Sequence, residues 1–159
     1  MKKGAIELSF GLIFTVIVIG VILIVGTFGI LNLVDTLKES EYVTFKSEFK
    51  NAVEEIKTFD PGTRFVYGGR REALTLPEGE GEFCVLKLGS LLGELPNDKI
   101  EAYSEDTGNN AIFSENLDKS FSVEGLTPEP NPLCFTMGRR ISFTLEYLGD
   151  GEVKISQDE

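Results

Sequence analysis

Residues 8–34 read LSFGLIFTVIVIGVILIVGTFGILNLV, a run without a charged residue in which only Ser9, Thr15, Thr27 and Asn32 are polar. At about 1.5 Å of rise per residue, roughly 20 helical residues cross a hydrocarbon layer about 30 Å thick. The run is long enough to span a membrane, and everything else in the chain is organised around it. A secretory signal peptide carries a shorter apolar region followed by a small-x-small cleavage site. This run passes instead into charged, helix-forming sequence, so it is expected to remain as an anchor.

The flanks predict its direction. Lys2 and Lys3 precede the run, while Asp35, Glu39 and Glu41 surround the single Lys38 that follows it. Basic residues stay on the cytoplasmic side, so the N-terminus is expected there and the C-terminal domain outside the cell membrane. Beyond the run, Leu37, Tyr42, Phe45, Phe49, Val53 and Ile56 recur at intervals near three and four after an initial five. That spacing lines one side of a helix. Nothing between the two segments breaks a helix, so one continuous helix is predicted from about Ala5 to about Phe59, its second half turning an apolar stripe toward a partner. Asp60-Pro61-Gly62 ends it: proline has no N–H to donate and disfavours a helical residue before it, and glycine permits the turn.

All six prolines lie after residue 60, where short alternating runs take over. Residues 73–76 (ALTL) and 82–88 (EFCVLKL) flank PEGEG, and residues 133–137 (LCFTM) turn through Gly138 into 140–147 (RISFTLEY). Ile141, Phe143, Leu145 and Tyr147 share one face of the last run, with Ser142, Thr144 and Glu146 on the other, as in a half-buried strand. Gly149-Asp150-Gly151 then turns into EVKIS and closes a hairpin. Residues 89–132 read as loops with an edge strand. Gly69-Arg70-Arg71 before ALTL echoes Gly138-Arg139-Arg140 before SFTL, two ordinary starts of turn and strand. The expected fold class is therefore α+β, one long N-terminal helix followed by a small antiparallel β-sheet head. Its segments are a basic leader 1–4, a transmembrane helix 5–34, an amphipathic extension 35–59 and an acidic domain 60–159.

Cys84 and Cys134, the only cysteines, each sit in a strand-like run, and an external compartment favours a disulfide that ties the two hairpins together. They lack CxxC spacing, and a closed zinc site would need at least two carboxylates to complete it, so no metal or other cofactor is expected. The chain has no histidine, which removes the commonest general base and metal ligand. No serine lies in a GxSxG-type elbow, and the carboxylates are too scattered to nominate an acid–base pair. No enzyme activity is expected. The formal charge of −11 falls beyond residue 40, because Lys2, Lys3 and Lys38 cancel Glu7, Asp35 and Glu39 before it. Such a domain repels phosphate backbones, and no nucleic-acid partner is expected.

The opening Lys2-Lys3-Gly4-Ala5-Ile6-Glu7-Leu8-Ser9-Phe10, running into an unbroken apolar segment, resembles the N-terminus of archaeal type IV pilin-like proteins. The resemblance covers about forty residues. It implies that a prepilin peptidase cuts between Gly4 and Ala5, and that the remaining helix anchors the subunit and later packs in the core of a filament of like subunits. The long helix leading into a β-rich head also fits the family's ladle shape. The sequence departs from the better-known bacterial pattern, which places a glutamate five residues after the cut, where Glu7 would be third. Glu7 then either pairs with the freed amine of a neighbouring subunit during helix assembly or is an interfacial carboxylate without a special role, since a charge at the membrane edge costs far less than one at the midplane. The expected function is a membrane-anchored surface protein, a pilin-like structural subunit or minor component, with the lipid bilayer as its first partner. The alternative is an uncleaved single-pass protein whose external β-domain binds a ligand or another protein.

Overall fold

In the computed structural model the described residues are 10–68, 71–89, 95 and 98–157. The fold is α+β, a long helix followed by a small mixed sheet domain. Helix α1 runs unbroken over Phe10–Ile56. The chain packs as two units, Met1–Glu39 and Ser40–Glu159, so α1 contributes to both.

Among the described residues the second unit carries nine strands: β1 (Arg64–Tyr67), β2 (Leu74–Thr75), β3 (Glu82–Val85), β4 (Ala111–Phe113), β5 (Leu126–Glu129), β6 (Leu133–Thr136), β7 (Arg140–Ile141), β8 (Phe143–Gly149) and β9 (Glu152–Gln157). They form sheets of order β1-β8-β9-β5, β2-β7 and β4-β3-β6. Among these strands every pairing is antiparallel except β5 with β9, which is parallel. The head is thus mixed where an antiparallel sheet was expected. Helix α2 (Lys99–Thr107) lies between β3 and β4 in sequence.

The stripe on the last turns of α1 packs inside its own head. Phe45, Phe49, Ala52, Val53 and Ile56 are buried in one cluster with Phe83, Phe113, Phe121, Phe143, Leu145 and Ile155 from the sheets. This corrects the expectation that the stripe faces a partner: a small sheet must bury one face, and the nearest apolar surface is the helix that leads into it. Leu37 is exposed and does not belong to the stripe, whereas Tyr42 packs at its edge. For the same reason the head's packing unit starts at Ser40, within the helix, and not at the proline-marked turn after it. That turn still ends the helix. Gly62, at φ 88°, donates its N–H to Tyr147 O, and Tyr147 N–H donates to Thr63 O, which fastens the helix exit to β8.

In β8 the alternation is as read, with Phe143 and Leu145 buried and Thr144 and Glu146 partly exposed. Its hairpin with β9 turns through Gly149, Asp150 and Gly151, all at positive φ. The run 133–137 does not form a hairpin with 140–147, however. Gly138 N–H donates to Pro77 O and Leu76 N–H to Arg139 O, which draws the chain into the β2–β7 pair and leaves β6 and β8 in different sheets. The two echoed segments therefore pair with each other, Leu74 opposite Ile141 and Thr75 opposite Arg140. At the parallel edge, Val153 N–H donates to Gly125 O, and a Cβ on Gly125 would come within 2.1 Å of Gly151 O. Only glycine lets β5 approach so closely there.

Candidate functional site

Two places in the chain bear on function, the apolar part of α1 and the cysteine-bearing face of the small sheet. Within α1, Gly11–Ile30 is long and apolar enough to cross a membrane. Its large apolar side chains are exposed, among them Leu12, Phe14, Ile17, Ile22, Leu23, Val25 and Phe28. A helix apolar on all sides cannot be satisfied by water on any of them. Its two described hydroxyls are spent internally, Thr15 Oγ1 donating to Gly11 O at 2.7 Å and Thr27 Oγ1 to Leu23 O at 2.8 Å. Such bonds to the carbonyl four residues back are the usual way a helical threonine satisfies its hydroxyl. Gly4, Ala5 and Glu7, for which the resemblance implies processing and helix assembly, lie outside the described residues.

The cysteines are brought together. Cys84 on β3 stands directly opposite Cys134 on β6, and the two form a disulfide with their Cα atoms 4.1 Å apart. The bridge does not tie two hairpins. It staples adjacent strands of one sheet, because β3 takes β4 and β6 as neighbours and leaves β2 to β7. Sequence reasoning missed a third member of this group, Glu82. Two positions before Cys84 on the same strand, it leaves the same face, and its carboxylate and both sulfurs lie within 4.8 Å of one another. The signal was the E-x-C spacing within a strand. Further along this face Leu86 and Ile112 make a second small core with Ile100 of α2 and the flanking Leu95, Tyr103 and Leu117.

The head's electrostatics are those of a surface network. Glu146 accepts from Arg64 at 3.0 Å and pairs with Lys154 at 3.3 Å. The Arg64 hydrogen bond, aided by Lys154, holds its carboxyl below the usual range. Lys154 also meets Glu129 at 3.1 Å, and the bonds to Glu129 and Glu146 raise its ammonium. Burial raises the hydroxyls of Tyr42 and Tyr67. Tyr42 Oη accepts from Asn116 Nδ2 at 2.8 Å. Of the arginines in the echoed turns, Arg71 lies 3.7 Å over the Phe65 ring and donates twice to Glu55, which places its charge on the helix. No buried side-chain polar atom among the described residues lacks a hydrogen-bond partner.

No protein-family model, curated protein or solved structure matches this chain.

Proposed function

We propose that this chain is a membrane-anchored surface protein, a pilin-like structural subunit or minor component that assembles through its N-terminal helix and carries its head outside the cell membrane. The observation that carries the reading is the division of one helix between two roles. Gly11–Ile30 is apolar on every side and buried against nothing, while Phe45 to Ile56 form part of the head's core. A helix built only to complete the head would need no such first half. An apolar surface that uniform calls for lipid or for the helices of like subunits.

Lys2 and Lys3 before the span support a cytoplasmic N-terminus, and the Cys84–Cys134 bridge supports an oxidising compartment for the head. The acidic head argues against nucleic acid as a partner. The role is structural, with prepilin peptidase as the processing partner. Lys2 and Lys3 stay in the headgroup layer, and Gly4, without a side chain, lets the backbone lie close in a peptidase site. Cutting there frees the amine of Ala5 near Glu7 of its own or a neighbouring chain, an attraction that strengthens where the dielectric is low.

Intact-mass measurement on the protein extracted from native membranes tests the reading. The expected chain begins at Ala5, and Gly4→Leu leaves the protein inserted but uncut. A wild-type chain still beginning at Met1 or Lys2 removes the pilin-like reading and leaves an uncleaved single-pass protein with a binding head.

A further inference from the structure

We infer that the cysteine-bearing face is a redox-gated metal site, in which Cys84, Cys134 and Glu82 bind a thiophilic divalent cation of the zinc type once the disulfide is reduced. The cluster joins two soft ligands and one hard one from strands that fix their spacing. Cys84 and Glu82 leave the same face of β3, and Cys134 enters from β6 directly opposite Cys84. The pairs Phe83–Phe135 and Val85–Leu133 flank the cysteines in the same ladder, so reduction leaves both sulfurs at one place on the sheet.

The geometry suits a tetrahedral ion. With zinc–sulfur bonds of about 2.3 Å, two thiolates in a tetrahedral site stand about 3.8 Å apart. The two cysteines stand directly opposite with their Cα atoms 4.1 Å apart, close enough for two side chains to reach one ion between them. The Glu82 carboxylate, already within 4.8 Å of both sulfurs, supplies the third ligand, and water the fourth. Access is open from one side only. Cys84 is fully buried beside the core formed by Leu86, Ile100 and Ile112, whereas Cys134 and Glu82 are partly exposed.

The gate follows from sulfur chemistry. In the disulfide each sulfur is neutral and bonded to its partner, a poor ligand. A small dithiol transfers two electrons to the bridge and becomes a cyclic disulfide, and its two protons end on Cys84 and Cys134. The cation then displaces those two protons and takes two thiolates. Oxidised, the sheet is stapled by a covalent bond; reduced, it is stapled by the ion.

The test uses the full chain in detergent, reduced with a phosphine so that no added thiol competes for metal, and cadmium as a probe whose thiolate bonds absorb in the ultraviolet. The reduced chain is expected to take up one cadmium ion with release of two protons, and the unreduced chain none. Glu82→Gln should weaken binding about tenfold or more, since loss even of an outer-shell group costs that much at metal sites. The near-ultraviolet circular dichroism of the tyrosines reports whether the head stays folded. If reduction lowers that signal, cadmium should restore it in wild type and fail to do so in Glu82→Gln. Failure of the reduced chain to bind cadmium or to recover with it, equal uptake by the unreduced chain, or unchanged affinity in Glu82→Gln each overturns the proposal.

Discussion

Replacing Phe49 by alanine tests whether the last turns of α1 belong to the head. Phe49 is 0% exposed, and its ring centroid lies 5.7 Å from Phe45, 5.5 Å from Phe83, 6.1 Å from Phe121 and 5.9 Å from Phe143. Truncation removes transfer energy and leaves a cavity among these four rings, so the cost is about 3–5 kcal/mol. Edge-to-face pairs add to this, each worth about 0.5–1.5 kcal/mol beyond its buried area. Against a total stability of about 5–15 kcal/mol for a small domain, that is a large share. At roughly 4 °C per kcal/mol for a unit of this size, the head should melt about 12–20 °C lower. All four tyrosines, Tyr42, Tyr67, Tyr103 and Tyr147, lie beyond Ser40, so their near-ultraviolet dichroism follows the head and is blind to the apolar half of α1. Val43→Ala is the control. It lies on the same helix but is 62% exposed, and should change stability by no more than about 0.5 kcal/mol. A loss below about 1 kcal/mol in Phe49→Ala, or an equal loss in Val43→Ala, would refute the packing of this helix into the head.

The Cys84→Ala/Cys134→Ala double variant should lower the head's melting temperature, because the bridge spans a sequence separation of 50 residues and removes up to about 4 kcal/mol of unfolded-state entropy in the chain-entropy model; an unchanged melting temperature would refute a stabilising bridge. For Glu146, hydrogen bonding to Arg64 lowers the folded-state pKa, so its contribution is present above the ordinary carboxylate value of about 4.3 and is lost as pH falls through the lower folded value. Glu146→Gln should therefore lose less stability than wild type between pH 7 and pH 3, by no more than about 1 kcal/mol for so exposed a network. Melting curves at the two pH values check it, and parallel losses in the two proteins contradict it.

The helix was legible because two strong signals meet in it: an uncharged run too long for a core strand, and a stripe at helical spacing ended by Asp60-Pro61-Gly62. The β8–β9 hairpin was legible for the same kind of reason, a clean alternation of period two and a glycine-rich turn. What stayed hidden depended on distant partners. β1 is only four residues, and its partner β8 lies across most of the domain, Arg64 opposite Glu146. α2 buries only Ile100 and Ser104, too little apolar repetition to stand out from a polar loop. β5 holds Pro128, which argues against a strand until the sheet order shows it at an edge, where proline is tolerated. The disulfide pair could be named from two cysteines, but its neighbours in the sheet could not. Glu82 joined the cysteines only once β3 and β6 were known to be adjacent.

Along α1 the backbone stays helical while side-chain burial changes, so a substitution means different things in its two halves. A change among Phe45, Phe49, Val53 and Ile56 alters the head's core, and any failure to assemble would follow from unfolding. Leu12, Phe14 and Ile17 are exposed, so a change there leaves the head's buried cluster as it is. The exposed side of the second half, with Ser40, Val43, Thr44, Ser47 and Asn51, is the intermediate case: substitutions there leave the core intact yet still change the helix surface. If helix contacts assemble this protein, defects should arise in chains whose tyrosine signal and melting temperature are those of wild type. Defects confined to chains with a destabilised head would place the cause in folding and leave the helix as an anchor alone.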